Sequence, residues 1–136
     1  MKMLYNRELI QEAMKVLRPR ELYLGNTAGG VACALLTAQG NLYYGVCMDL
    51  GSGIGFCAEH SAIAAMVTAG ESQIAQIVAV WGQGTVLPPC GRCRELIYEI
   101  DAANLANTQV VLSAETSVPL SDLLPHPYHE VWGKPE

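Results

Sequence analysis

Charge is scarce in this sequence. Only 15% of its 136 residues are charged, with 8 lysines and arginines against 13 acids, and no basic run or basic–aromatic alternation occurs. The formal net charge of -5 gives nothing to attract a polyanion, so a nucleic-acid partner is not expected and small neutral or cationic partners fit better. Long hydrophobic runs are missing too. The longest, such as Val31 to Leu36 and Ile77 to Gly82, fall far short of the roughly 20 residues a membrane span needs, so no membrane association is expected. No signal-peptide pattern opens the chain. With 5 cysteines present, that points to a reducing compartment, the cytoplasm, where closely spaced cysteines hold metal or do chemistry rather than staple the chain.

Apolar residues are abundant instead. At 51% hydrophobic, the chain can bury a sizeable core, and 136 residues suit a single domain covering positions 1–136. So few charges on so small a domain also favour self-association.

The apolar pattern alternates between helix and strand periods. Tyr5 to Leu17 reads as a helix with Asn6 as its cap and Pro19 as its stop. Gly25 to Gly30 reads as a glycine-rich turn or pocket rim, since it lacks the spacing and lysine of a phosphate-binding loop. Val31 to Leu36 and Leu42 to Met48 form a predicted hairpin across Gln39-Gly40-Asn41. Asp49 to Phe56 carries glycines at 51, 53 and 55, the mark of a sharp bend or close backbone approach. A helix from Ala58 to about Ala69, a strand from Gln73 to Trp81, a loop from Gly82 to Pro89 and a helix from Cys90 to about Ala103 follow. Val110 to Ala114 gives a short strand, Ser117 to Leu124 a small strand or turn leading into a one-turn helix, and residues 125–132 an aromatic, proline-rich close. This order predicts a three-layer α/β/α fold with a central mixed sheet.

The chemistry concentrates in Cys57-Ala58-Glu59 and Pro89-Cys90-Gly91-Arg92-Cys93. Both segments open predicted helices that follow β structure. Helix N-termini favour thiolate over thiol, and a catalytic zinc takes three protein ligands and keeps a fourth position open for water. Cys57, Cys90 and Cys93 are the candidate ligands, with Glu59 beside them as proton shuttle for hydrolytic deamination at an amidine-like carbon. Three thiolates leave such a site anionic, and the two helix ends with Arg92, Arg94 or His60 are the candidates to compensate. Two other readings stay open: a redox Cys90/Cys93 pair, or a structural zinc knuckle completed by His126 or His129. Cys33 and Cys47, on apolar strands, read as small core residues.

At these residues the sequence resembles the cytidine deaminase superfamily, whose pattern is Cys or His, Ala, Glu and later Pro-Cys-x-x-Cys, over nearly the whole chain. The resemblance implies zinc held by Cys57, Cys90 and Cys93, Glu59 as proton shuttle, and a homotetramer whose subunits help close one another's pockets. It departs from ordinary members where a ribose-binding Asn-x-Glu-Asn is expected, since Cys47-Met48-Asp49-Leu50 stands there and leaves Asp49 as a shortened glutamate. His60 replaces an arginine, and no stacking aromatic is evident among Gly30 to Ala34. Leu87 to Arg94, Leu123-Leu124-Pro125, Tyr128 and Trp132 resemble the blasticidin S deaminase branch, although the spacing from Tyr128 to Trp132 and the glycine segment at 51–55 differ in length. The implied substrate is therefore a free cytosine-containing nucleoside analogue such as blasticidin S. The alternatives are ordinary cytidine or deoxycytidine, another amino-heterocycle, or binding without catalysis by a zinc-stabilised protein. Backbone near Ala58, with Glu59, suits the ring nitrogen and exocyclic amine of the base, and Tyr128 and Trp132 are lid or stacking candidates, or else interface or core aromatics.

Overall fold

Alternation along one strand explains the layering. In the computed structural model, which describes residues 2–132, β2 (Thr27–Thr37) sends Cys33 and Leu35 to one face and Ala32 and Ala34 to the other. Both faces are buried. The first carries α2 (Ala58–Thr68) and α3 (Gly91–Ile100), packed through Ala62, Ile63, Met66 and Ile97. The second is covered by α1 (Asn6–Met14), whose Leu9, Ile10 and Ala13 sit on Ala32, Ala34, Val78 and Val80. The result is the three-layer α/β/α arrangement expected from the residue pattern.

The sheet is mixed, with β2 paired antiparallel to β3 (Leu42–Asp49) on one side and to β4 (Ile74–Trp81) on the other. β4 then pairs parallel with β6 (Gln109–Val111), which carries β7 (Ser117–Pro119) antiparallel at the edge. Two short strands, β1 (Arg20–Glu21) and β5 (Thr85–Leu87), pair with β2 and β4. Two one-turn helices, α4 (Asn104–Asn107) and α5 (Leu120–Leu123), complete the described residues.

Several boundaries differ from expectation, each for a local reason. Tyr5 rather than Asn6 precedes the first helical residue, because the Glu8 carboxylate accepts the Tyr5 backbone N–H at 2.9 Å while the Asn6 amide donates to Ser113 O at 3.1 Å. β2 begins four residues before Val31, so Thr27 to Gly30 is strand: Ala28 finds partners in both β1 and β3. Part of the expected 82–89 loop is β5, folded back on β4 through the turn at Gly82 and Gly84. The helix expected to run to about Ala103 stops at Ile100, where buried Asn104 intervenes. Asn104 accepts from Ile74 N and donates to Ser72 O and Ile97 O at 2.9–3.0 Å, which ties the end of α3 to the start of β4.

Candidate active site

The site is assembled by two helix starts. Cys57 is the residue before α2 and Cys90 the residue before α3, both with extended backbone, and Cys93 lies in the first turn of α3. Gly45 on β3 is what lets α2 come so near. A β-carbon there would stand 2.2 Å from Ala62 N and 2.6 Å from Ala58 O, a distance no side chain permits. The close approach brings Cys57 and Glu59 down to the sheet, opposite α3.

The three sulfurs lie within 4.8 Å of one another, with Cys57–Cys90 at 3.6 Å and Cys90–Cys93 at 3.5 Å. Sulfurs placed about 2.3 Å from a tetrahedral zinc are roughly 3.8 Å apart, so this donor set fits that ion in both chemistry and spacing. All the cysteines are free. The two other readings of the pair therefore lose ground: Cys57 belongs with Cys90 and Cys93, and His126 and His129 turn to Glu130 and Glu99 instead.

The thiols differ in their surroundings. Burial pushes Cys93 well up, with the nearby Glu59 carboxylate adding to it. Burial and the Cys90 hydrogen bond also raise Cys57. Cys90 moves down on balance, because backbone N–H groups of Cys93 and Arg92 and the neighbouring thiols outweigh its burial.

Glu59 is only 5% exposed. Burial raises its carboxyl above the ordinary range, opposed in part by hydrogen bonds from its own backbone N–H and the Cys93 thiol. A buried carboxyl with a raised pKa holds a proton more readily than an exposed one, which suits it to accept a proton and return it. His60, one residue on, places Nδ1 3.5 Å from Cys93 Sγ, and burial together with Arg92 lowers its pKa. Arg94 does not serve the sulfurs. Its Nε donates to Pro89 O at 2.8 Å and its Nη1 to Leu123 O at 3.1 Å, which fixes the turn before Cys90 against α5.

An open cleft of about 770 Å³ leads to these groups. Ala58, Glu59, Cys57 and Cys90 line it, as does Asp49, whose carboxylate accepts from Thr27 Oγ1 at 3.4 Å. Tyr128 and Trp132 do not line it within a single chain. They pack with His129 at the α3 surface, where Glu95 accepts the Tyr128 backbone N–H at 3.1 Å and Glu99 meets the His129 ring. Residue patterns missed Asn26, Val31 and Phe56 on the cleft wall. For Asn26 a signal existed, because the glycine-rich segment around it reads as a pocket rim. Cys47 also differs from a plain core cysteine: it lines the cleft, and its sulfur accepts Val31 N–H at 3.2 Å.

Residues 5–108 match the family described as the cytidine and deoxycytidylate deaminase zinc-binding region. The chain is 30% identical over 104 residues to a cytidine deaminase of Mycobacterium tuberculosis, a match covering 76% of this chain and 75% of that one. Its fold is similar to the crystal structure of a mutant of the Mycobacterium tuberculosis cytidine deaminase, with a TM-score of 0.75 at 27% identity over 90% of this chain and 96% of that one. The cytidine deaminase of Burkholderia pseudomallei gives 0.71 at 25% identity over 90% and 98%. A three-thiol metal site with an adjacent buried carboxyl, on this fold, defines a zinc-dependent hydrolytic deaminase acting on a cytosine-type nucleoside. The chain belongs to the cytidine and deoxycytidylate deaminase family. None of the comparisons narrows this to the blasticidin S branch.

Proposed function

We propose that the substrates are cytidine and deoxycytidine, deaminated to the corresponding uracil nucleosides with release of ammonia. The observation that carries this reading is the buried Glu59 beside the three sulfurs at the wall of an open cleft. The relatives named above are cytidine deaminases, which favours the ordinary nucleosides over blasticidin S. The resemblance around Leu87 to Arg94 that pointed to the analogue lies in the metal-binding turn, which acts on the base whatever the substituent on it.

Cys57, Cys90 and Cys93 would hold the zinc, which when bound acts as a Lewis acid that makes water a better nucleophile. Glu59 takes a proton from the water as its oxygen bonds to the carbon bearing the amine. The same carboxyl passes that proton to the ring nitrogen as its double bond to this carbon opens, then takes the remaining proton of the new hydroxyl and gives it to the amine nitrogen; the C–N bond breaks, and ammonia leaves as the carbon becomes a carbonyl. Burial of Glu59 suits it to both halves of this exchange. Ala58, at the first turn of α2, lines the cleft, which supports a role for the backbone there in orienting the base.

The assembly we propose is a homotetramer in the cytoplasm. Exposed Ile54, Val67 and Trp81 support association, and the free thiols suit a reducing compartment. Tyr128 and Trp132, 68% and 64% exposed and away from the cleft of their own chain, are then available to cover a neighbour's. No helix among the described residues is long and apolar enough to cross a membrane.

Ammonia release measured across cytidine, deoxycytidine, cytosine and blasticidin S tests the substrate assignment. The two ordinary nucleosides should give the highest kcat/KM; a clear preference for blasticidin S would overturn the proposal.

A further inference from the structure

Two tight turns flank the mouth of the cleft, Tyr23–Gly25 and Gly51–Gly53, and each contains a non-glycine residue in the left-handed region: Leu24 at φ 56° and Ser52 at φ 62°. Backbone of this kind persists only where surrounding contacts hold it. A side-chain clip between them comes from Asn26. Its Oδ1 accepts the Gly51 backbone N–H at 2.9 Å, joining the turn before β2 to the turn after β3. With Oδ1 so used, the orientation of the amide is set, and Nδ2 has no hydrogen-bond partner among the described residues.

Asn26, Gly51 and Asp49 all line the cleft that holds Glu59 and the sulfurs. Asp49 takes one long hydrogen bond, from Thr27 Oγ1 at 3.4 Å to Oδ2, and a sulfur contact from Cys47 at 3.8 Å to the same oxygen, which leaves Oδ1 open. The cleft thus offers a fixed amide donor and a carboxylate acceptor at neighbouring turns. A hydroxyl both donates and accepts, so this pair suits hydroxyl groups carried by the substrate, and the cytosine base itself has none.

We propose that Asn26 is a specificity-determining residue for the sugar: Oδ1 holds the two rim turns together, and Nδ2 donates to a hydroxyl of the nucleoside that Asp49 accepts from. The assignment rests on the nucleoside reading above. It separates two tasks that substitution can take apart. Asn26→Asp keeps the acceptor for Gly51 N–H, removes the donor and sets a second acid beside Asp49. Asn26→Ala removes both.

The test uses the zinc-loaded full chain and compares kcat/KM for cytidine with that for 1-methylcytosine, which keeps the base and replaces the sugar by a methyl group. Zinc content and the thermal midpoint are followed alongside. The wild-type preference for cytidine should fall at least about 10-fold in both variants, mainly through KM, with one zinc per chain retained. Should Asn26→Asp keep the wild-type preference while Asn26→Ala loses it, Asn26 is a clip alone and the donor role is wrong. Equal losses on both substrates would likewise overturn it, by pointing to a general defect in the site. If the wild type itself does not turn over cytidine, the nucleoside reading fails, an outcome distinct from a variant that behaves as wild type.

Discussion

Glu59 shows how one residue acquires a role from what surrounds it. In the sequence it is a glutamate in the first turn of a helix, where the positive helix end favours a carboxylate. In the structure burial reverses that preference and raises its pKa. Substituting Glu59 by Gln keeps the shape and removes the proton exchange, so kcat should fall about 10²–10⁴-fold with zinc content unchanged, measured by ammonia release and metal analysis on the same sample. Retained turnover in this variant would remove Glu59 as the proton shuttle. The sulfurs answer to a different measurement. Cys93 is fully buried and Cys57 and Cys90 are not, so Cys93→Ser should lose both zinc and stability, whereas Cys33→Ala, deep in the apolar layer, should keep the metal at a cost of about 1 kcal/mol. Cys33 and Cys93 are alike in residue type; only the company each keeps divides them.

Among the elements, the contact of α2 with β3 decides whether a site exists. Gly45→Ala must push Ala58 O and Ala62 N away, and with them the start of α2 that carries Cys57 and Glu59. The expected result is a loss of about 1–3 kcal/mol together with weaker zinc retention, checked by urea unfolding and by competition with a chelator; full zinc retention would show that α2 can shift without cost. On the opposite face, Tyr44 Oη donates to the Glu12 carboxylate and links β3 to α1. Glu12 is held below the ordinary carboxylate range by the Lys15 hydrogen bond and by Tyr44, and the bond to Glu12 raises Tyr44 from 10.0 to about 12. The signs differ. The Glu12 contribution is present above its unfolded pKa and is lost as pH falls through the lowered folded value, while the Tyr44 contribution is complete below pH 10 and is lost as pH rises towards about 12. Tyr44→Phe should therefore cost stability most in the neutral range, about 0.5–1 kcal/mol after solvent screening, and less at both extremes, as urea midpoints across pH would show.

For the whole molecule, metal and assembly set the apparent stability. An ion held only by the folded chain stabilises it by mass action, so chelation should lower the thermal midpoint and abolish turnover, and added zinc should restore both. Light scattering should give four times the mass of 14.6 kDa if the exposed apolar residues meet in a tetramer; a monomer would remove that proposal. Much of this molecule was legible in its residues. Alternation along Val31 to Leu36 and Ile77 to Val80 requires a sheet covered on both faces, and helix periods at Leu9, Ile10 and Ala13 supply one cover. Spacing within one turn makes Cys90 and Cys93 neighbours, and places Glu59 beside Cys57, because those distances are set by backbone geometry alone. Other features depend on pairs far apart in the chain. That Cys57 meets Cys90 follows from two helices packed on one face and from the missing side chain at Gly45. Asn26 reaches Gly51 only because β2 and β3 pair in a register that sets Thr27 opposite Asp49, and the aromatic close lies along α3 through Glu95 and Glu99 rather than over its own cleft. Donor atoms, and hence the kind of chemistry, follow from residue types at short spacing along the chain. Only tertiary packing decided which donors share a site and what lines the cleft before it, because distances across a fold depend on how whole elements fit together.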